Sequence, residues 1–68
     1  MNLIVGNKLK NLRKQRGLTQ EQVAALLAIS QSAYARIENG ESQSWAGYIK
    51  KICRIFDIQP EELVKDDD

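Results

Sequence analysis

Apolar residues return along this chain with a helical period, and polar punctuation interrupts the returns. Val5, Leu9 and Leu12 fall at i, i+4 and i+7, the spacing that lines one face of an α-helix, so residues 4–15 are predicted to form a first helix. Gly17 ends it, with Lys14 and Arg16 near the negative pole of its dipole. Thr19 followed three residues later by Gln22 makes a capping box, which starts a second helix near Gln20 that buries Val23, Ala24 and Leu27. Ser30 can cap a third helix, whose inward stripe is Tyr34 and Ile37 and which stops at Asn39-Gly40.

Only Ala28 and Ile29 separate the second helix from the Ser30 cap. A connection that short forces the two helices to cross steeply, at about 90–120° as in a helix-turn-helix unit. Ser42 or Ser44 can cap a fourth helix running to Phe56, with Ala46, Ile49, Cys53 and Phe56 as its core stripe and Ile58 closing behind it. Gln59-Pro60-Glu61-Glu62 opens a last short helix, with proline at its first position and acids in its first turn. The expected fold is all-α, a compact five-helix bundle in one domain over residues 1–65, followed by a disordered acidic tail at 66–68.

Composition narrows the function. No stretch approaches the ~20 apolar residues of a membrane span, and MNLIV does not read as a secretory signal. Cys53 stands alone, which leaves no intrachain disulfide and fits a reducing cytoplasm. The chain has no histidine, no phosphate-binding glycine loop, no zinc spacing and no nucleophile beside a plausible base. An enzyme is not expected, nor is a cofactor, a metal or a small-molecule substrate.

Charge changes the picture more. The net charge is only +1, yet residues 1–36 carry six basic side chains against one acidic, and residues 37–68 carry four against eight. Such asymmetry suggests one side that faces a polyanion and one that repels it. The third helix would present Gln31, Ser32, Ala35 and Arg36 on the face opposite Tyr34 and Ile37. Glutamine can pair with adenine N6 and N7, arginine with guanine O6 and N7, and a small Ala or Ser suits a thymine methyl. Thr19 and Gln20, at the start of the second helix, put backbone N–H groups and a positive dipole where a phosphate could sit. Lys10 is grouped with them as a phosphate contact.

Three stretches, VGNKLKNLRKQRGLTQEQVA, ISQSAYARIENG and YIKKICRIFDIQPEEL, give residues 5–63 a resemblance to the Cro and lambda-repressor-like family of helix-turn-helix proteins. The resemblance implies a lambda-repressor-like bundle that binds double-stranded DNA, usually as a two-fold dimer and usually to regulate transcription. At the matching positions it implies that Gln20 touches phosphate and buttresses Gln31, that Gln31, Ser32 and Arg36 read bases, and that Asn39 bonds phosphate. It also implies an ion pair between Arg13 and Glu38, which would remove Arg13 from the basic face.

Three departures stand out. Ala28 occupies a turn position where glycine is common, so a left-handed conformation there would be strained. Tyr34 replaces a branched aliphatic and is read as a core residue. The GESQS loop lacks the basic residue that many relatives use on phosphate, and Glu41 would repel the backbone. Modest affinity per monomer and a shallow salt dependence follow.

A second apolar stripe, Trp45, Tyr48, Ile52 and Ile55, runs beside the core stripe of the fourth helix. An exposed apolar patch usually marks an interface, so a homodimer through Trp45, Tyr48, Ile55 and the C-terminal Leu63 is expected. The leading expectation is a cytoplasmic, sequence-specific DNA-binding regulator. The alternative is a protein-interaction module of the same fold that uses an exposed Trp45/Tyr48 stripe, with weak or no DNA binding.

Overall fold

Each predicted helix break is closed by backbone hydrogen bonds that the local sequence explains. The computed structural model describes residues 3–42 and 44–64, and the proposed tail at 66–68 lies outside them. The first helix, α1, spans Leu3–Gln15. Gly17 then adopts φ +67°, and Leu18 N donates to Arg13 O at 3.1 Å, which satisfies a carbonyl that the helix end leaves open. Helix α2, Gln20–Leu27, begins on the Thr19 capping box. Gln22 N donates to Thr19 Oγ1 at 3.1 Å, and Thr19 N donates to Gln22 Oε1 at 2.8 Å.

Ala28 ends α2 in the left-handed region, φ 60° and ψ 39°, and Ile29 N reaches back to Ala24 O at 3.0 Å. Ser30 Oγ then accepts from Ala33 N at 3.1 Å, opening α3 over Gln31–Glu38. One turn thus serves as the stop for α2 and the start for α3. The remaining described elements are a 3-10 segment at Ser44–Tyr48, α4 at Ile49–Phe56 and α5 at Pro60–Val64. With no strand among the described residues, the protein is an all-α five-helix bundle.

The core joins all five helices through Val5 and Leu9, Val23 and Leu27, Tyr34 and Ile37, Ile52 and Phe56, and Leu63. Gly6 is part of its construction. A Cβ there would collide with the Glu38 carbonyl and lie 2.9 Å from the Ile37 oxygen, so α1 rests directly on the backbone at the end of α3.

The fourth helix corrects the first of two expectations. It starts at Ile49 rather than near Ser44, because Ser42 Oγ caps a tighter 3-10 turn, accepting from Ser44 N at 3.1 Å. Three residues per turn do not continue the 3.6 period. The core stripe therefore does not extend to Ala46, which is exposed, and Ile49 is only half-buried. Ile52 takes the central place instead, fully enclosed with Cys53 and Phe56 beside it.

The second correction concerns the proposed interface. Leu63 has no exposed surface and belongs to the core, because α5 folds back between α1 and α4. Trp45, Tyr48 and Ile55 are half-buried against the same core. Among the described residues, the exposed large apolar side chains are Leu3, Ile4, Leu26 and Val64. No helix of the described residues is long and apolar enough to cross a membrane.

Candidate nucleic-acid interface

Capping and turn geometry aim α3. Tyr34 and Ile37 anchor its inner face in the core, and Glu38 is buried at its end. That anchoring leaves Gln31, Ser32 and Arg36 exposed on the opposite flank, with Ala35 partly exposed between them. The N-terminus of α2 stands beside the start of α3, and Arg13, Leu18, Thr19, Gln20, Glu21 and Gln31 line an open cleft there.

A continuous run of hydrogen bonds crosses the floor of this cleft. Arg13 Nε donates to Glu38 Oε2 at 2.7 Å, and its Nη2 donates to Oε1 at 3.2 Å. Its Nη1 donates to Leu18 O at 2.9 Å, which ties the pair to the α1–α2 turn. Gln20 Nε2 donates to Glu38 Oε1 at 3.1 Å, and Gln31 Nε2 donates to Gln20 Oε1 at 2.9 Å. Four side chains on three helices form one network.

Burial works to raise the Glu38 carboxyl. The hydrogen bonds from Arg13 and Gln20, with the Tyr34 hydroxyl alongside, outweigh that effect and hold it below its ordinary value. The same pairing raises Arg13, so both stay charged. The Tyr34 hydroxyl is enclosed next to them without a hydrogen bond of ordinary geometry. Burial first, and its close neighbour Glu38 second, push the hydroxyl above its ordinary value. Burial and the Glu61 and Glu62 carboxylates also raise the Cys53 thiol, which disfavours a reactive thiolate.

The other candidates fall around this network. Thr19 is exposed, but its hydroxyl is occupied by the α2 cap. Asn39 is exposed just past α3, its Nδ2 3.5 Å from Glu41 Oε2, so an acid stands at the position proposed for phosphate. Lys10 is exposed on α1 and takes no part in the network. The basic face also loses a second member. Arg16 donates from Nη2 to the Phe56 carbonyl at the end of α4 and lies 5.3 Å above the Phe56 ring. Nothing in the sequence marked that contact, which spans forty residues. Gly6 left a readable signal, since a glycine inside a helix costs about 1 kcal/mol relative to alanine and points to a close approach.

The helix-turn-helix family profile matches residues 9–63, a span that runs from within α1 to α5 and contains the whole α2–turn–α3 unit. The chain belongs to the Cro- and repressor-type helix-turn-helix family. Two curated members align over most of its length. The antitoxin PezA of Streptococcus pneumoniae serotype 4 is 34% identical over 64 residues, which covers 94% of this chain and 40% of the relative. The control protein C.MunI of a Mycoplasma species is 39% identical over 62 residues, covering 90% of this chain and 84% of the relative. This helix-turn-helix chain therefore spans well under half of the first relative and most of the second. No solved structure gives a significant match.

Proposed function

We propose that the chain is a sequence-specific double-stranded DNA-binding transcriptional regulator of the Cro/repressor type, without catalytic activity, which lays α3 in the major groove. One observation carries this reading. The polar flank of α3 is open, and its leading residue, Gln31, is held in place by Gln20. A pre-positioned amide at the N-terminal end of an anchored helix suits base recognition in a groove wide enough for that helix.

In this reading Gln31, Ser32, Ala35 and Arg36 face base edges. Gln20, Thr19 and Lys10 face phosphates beside the α2 N-terminus, and Asn39 reaches a phosphate once it parts from Glu41. Two copies of the chain would place their α3 helices in successive major grooves, about 34 Å apart. The outer edges of Trp45, Tyr48 and Ile55 are the proposed seam between them. A control role agrees with the name of the C.MunI relative. The alternative, a module that recruits protein through Trp45 and Tyr48 with weak or no DNA binding, would use the same half-buried edges, and duplex binding is what separates the two readings.

Selection of duplexes from a random-sequence pool, followed by titration at two salt concentrations, tests the proposal. A two-fold symmetric enriched site with half-sites one helical turn apart is the expected result. Absence of duplex binding at low salt would overturn it.

A further inference from the structure

The network beneath α3 has a direction, and the direction originates in a buried charge. A carboxylate can only accept hydrogen bonds, so the Gln20 group 3.1 Å from Glu38 Oε1 must be its NH2. That turns Gln20 Oε1 towards α3, where it accepts from Gln31 Nε2 at 2.9 Å. Gln31 thus has one N–H committed inward, while its carbonyl oxygen and its second N–H remain for a ligand. Arg13 holds the other end by donating to both oxygens of Glu38. The Glu38 side chain is only 1% exposed, so water does not stand in for a misdirected partner.

We propose that the Arg13–Glu38 pair sets base specificity through Gln20, by fixing the amide edge that Gln31 presents so that it favours adenine over guanine. The inference rests on the reading of α3 as a major-groove helix. Adenine offers the N6 donor and the N7 acceptor, which match a carbonyl beside an N–H. Guanine offers two acceptors, O6 and N7, which need two N–H groups. Reversing the Gln31 amide to suit guanine requires reversing Gln20, which would point the Gln20 carbonyl at the Glu38 carboxylate. Two acceptors then face each other beside a carboxylate that is only 1% exposed, and that arrangement is disfavoured. Glu38 and Gln20 act as positioning residues. Arg36 and Ser32 make no bond within the network, so the bases they face serve as an internal control.

The test begins with the duplex that the wild-type chain selects from a random pool, in which Gln31→Ala identifies the base position that depends on Gln31. The probes are that duplex and a second one with guanine in place of adenine there. Wild type is expected to prefer adenine about tenfold or more, within the range a bidentate pair supports. Gln20→Met leaves the ion pair in place and removes both amide bonds, and it should shrink the preference to within about threefold. Glu38→Gln, which can turn an N–H towards Gln20, should shrink or reverse it. Both variants should keep the discrimination lost in Arg36→Ala. Gln20→Met decides the matter even where Glu38→Gln does not fold. An unchanged adenine preference in Gln20→Met, or in folded Glu38→Gln, overturns the proposal and leaves the regulator reading standing. A wild-type chain that enriches no sequence removes that reading, and this proposal with it.

Discussion

Arg13 and Glu38 join α1 to the end of α3 through two hydrogen bonds, Nε to Oε2 at 2.7 Å and Nη2 to Oε1 at 3.2 Å, with the carboxylate side chain 1% exposed. Removing one partner strands a buried charge. Arg13→Met or Glu38→Leu alone should cost about 3–5 kcal/mol, while the double replacement should cost much less than the sum. Chemical denaturation of the three variants measures the coupling, and additive losses would show that the pair is not acting as a unit.

The same pair predicts an acid limit. Glu38 is held below its ordinary value of 4.5 in the folded chain, so it binds protons less readily folded than unfolded. Its contribution is complete above the unfolded value and drains away as pH falls through the folded one. Thermal melts from neutral pH downward should show the gap between wild type and Glu38→Gln narrowing only in that acid window. A gap independent of pH would contradict the charged state assigned to Glu38.

Gly6 predicts a helix-favouring substitution that destabilises. Alanine gains about 1 kcal/mol in helix propensity, but its Cβ would meet the α3 backbone at Glu38, and backbone cannot move aside as a flexible side chain can. Overpacking of this kind costs about 1–3 kcal/mol or more. Gly6→Ala should therefore lower the melting temperature, whereas Ala25→Gly on the exposed face of α2 reports the propensity term alone.

Ala28 predicts the reverse. It sits at φ 60° without the freedom of glycine, and a left-handed alanine costs about 1–2 kcal/mol. Ala28→Gly should stabilise the chain by about 0.5–1 kcal/mol after the entropy of the unfolded glycine is allowed for. Asp57, at φ 54°, should gain less from the same change, because aspartate tolerates this region better.

For DNA, Gln31→Ala and Arg36→Ala should each weaken the selected site by about 1–3 kcal/mol and relax base preference at one position. Asn39→Ala should weaken all sequences alike. Glu41→Lys removes the acid 3.5 Å from Asn39 and adds a cation, so it should tighten binding to all sequences and steepen the salt dependence. A Glu41→Lys variant with unchanged salt slope would mean that the loop after α3 stays clear of the phosphates.

The helices and their ends were legible because their causes are local. The Thr19–Gln22 capping box and the Ser30 cap each act within one turn, and the apolar period of α1 to α3 names residues that became core, with Leu12 only half-buried at its edge. The fourth helix was misread at its start because a serine can open a 3-10 turn as readily as an α-helix; Ser42 caps the 3-10 turn, and α4 itself begins after Tyr48 with no side-chain cap. The Arg13–Glu38 pair was legible through family resemblance. So was the Gln20–Gln31 contact, but the bond from Gln20 to Glu38 that joins the two was not, since those residues meet only after three helices have packed.

By itself, the sequence determined where the chain bends, which faces are apolar and which polar side chains lead α3, since capping, helical period and left-handed turns depend on neighbours a few residues apart. Tertiary structure alone decided which apolar stripe became core, that Leu63 and Ile52 lie inside it, that Arg16 is drawn to the end of α4, and which way the Gln31 amide faces. Those outcomes follow from competition for one small buried volume and from a carboxylate that can only accept, and neither acts until distant segments are in contact.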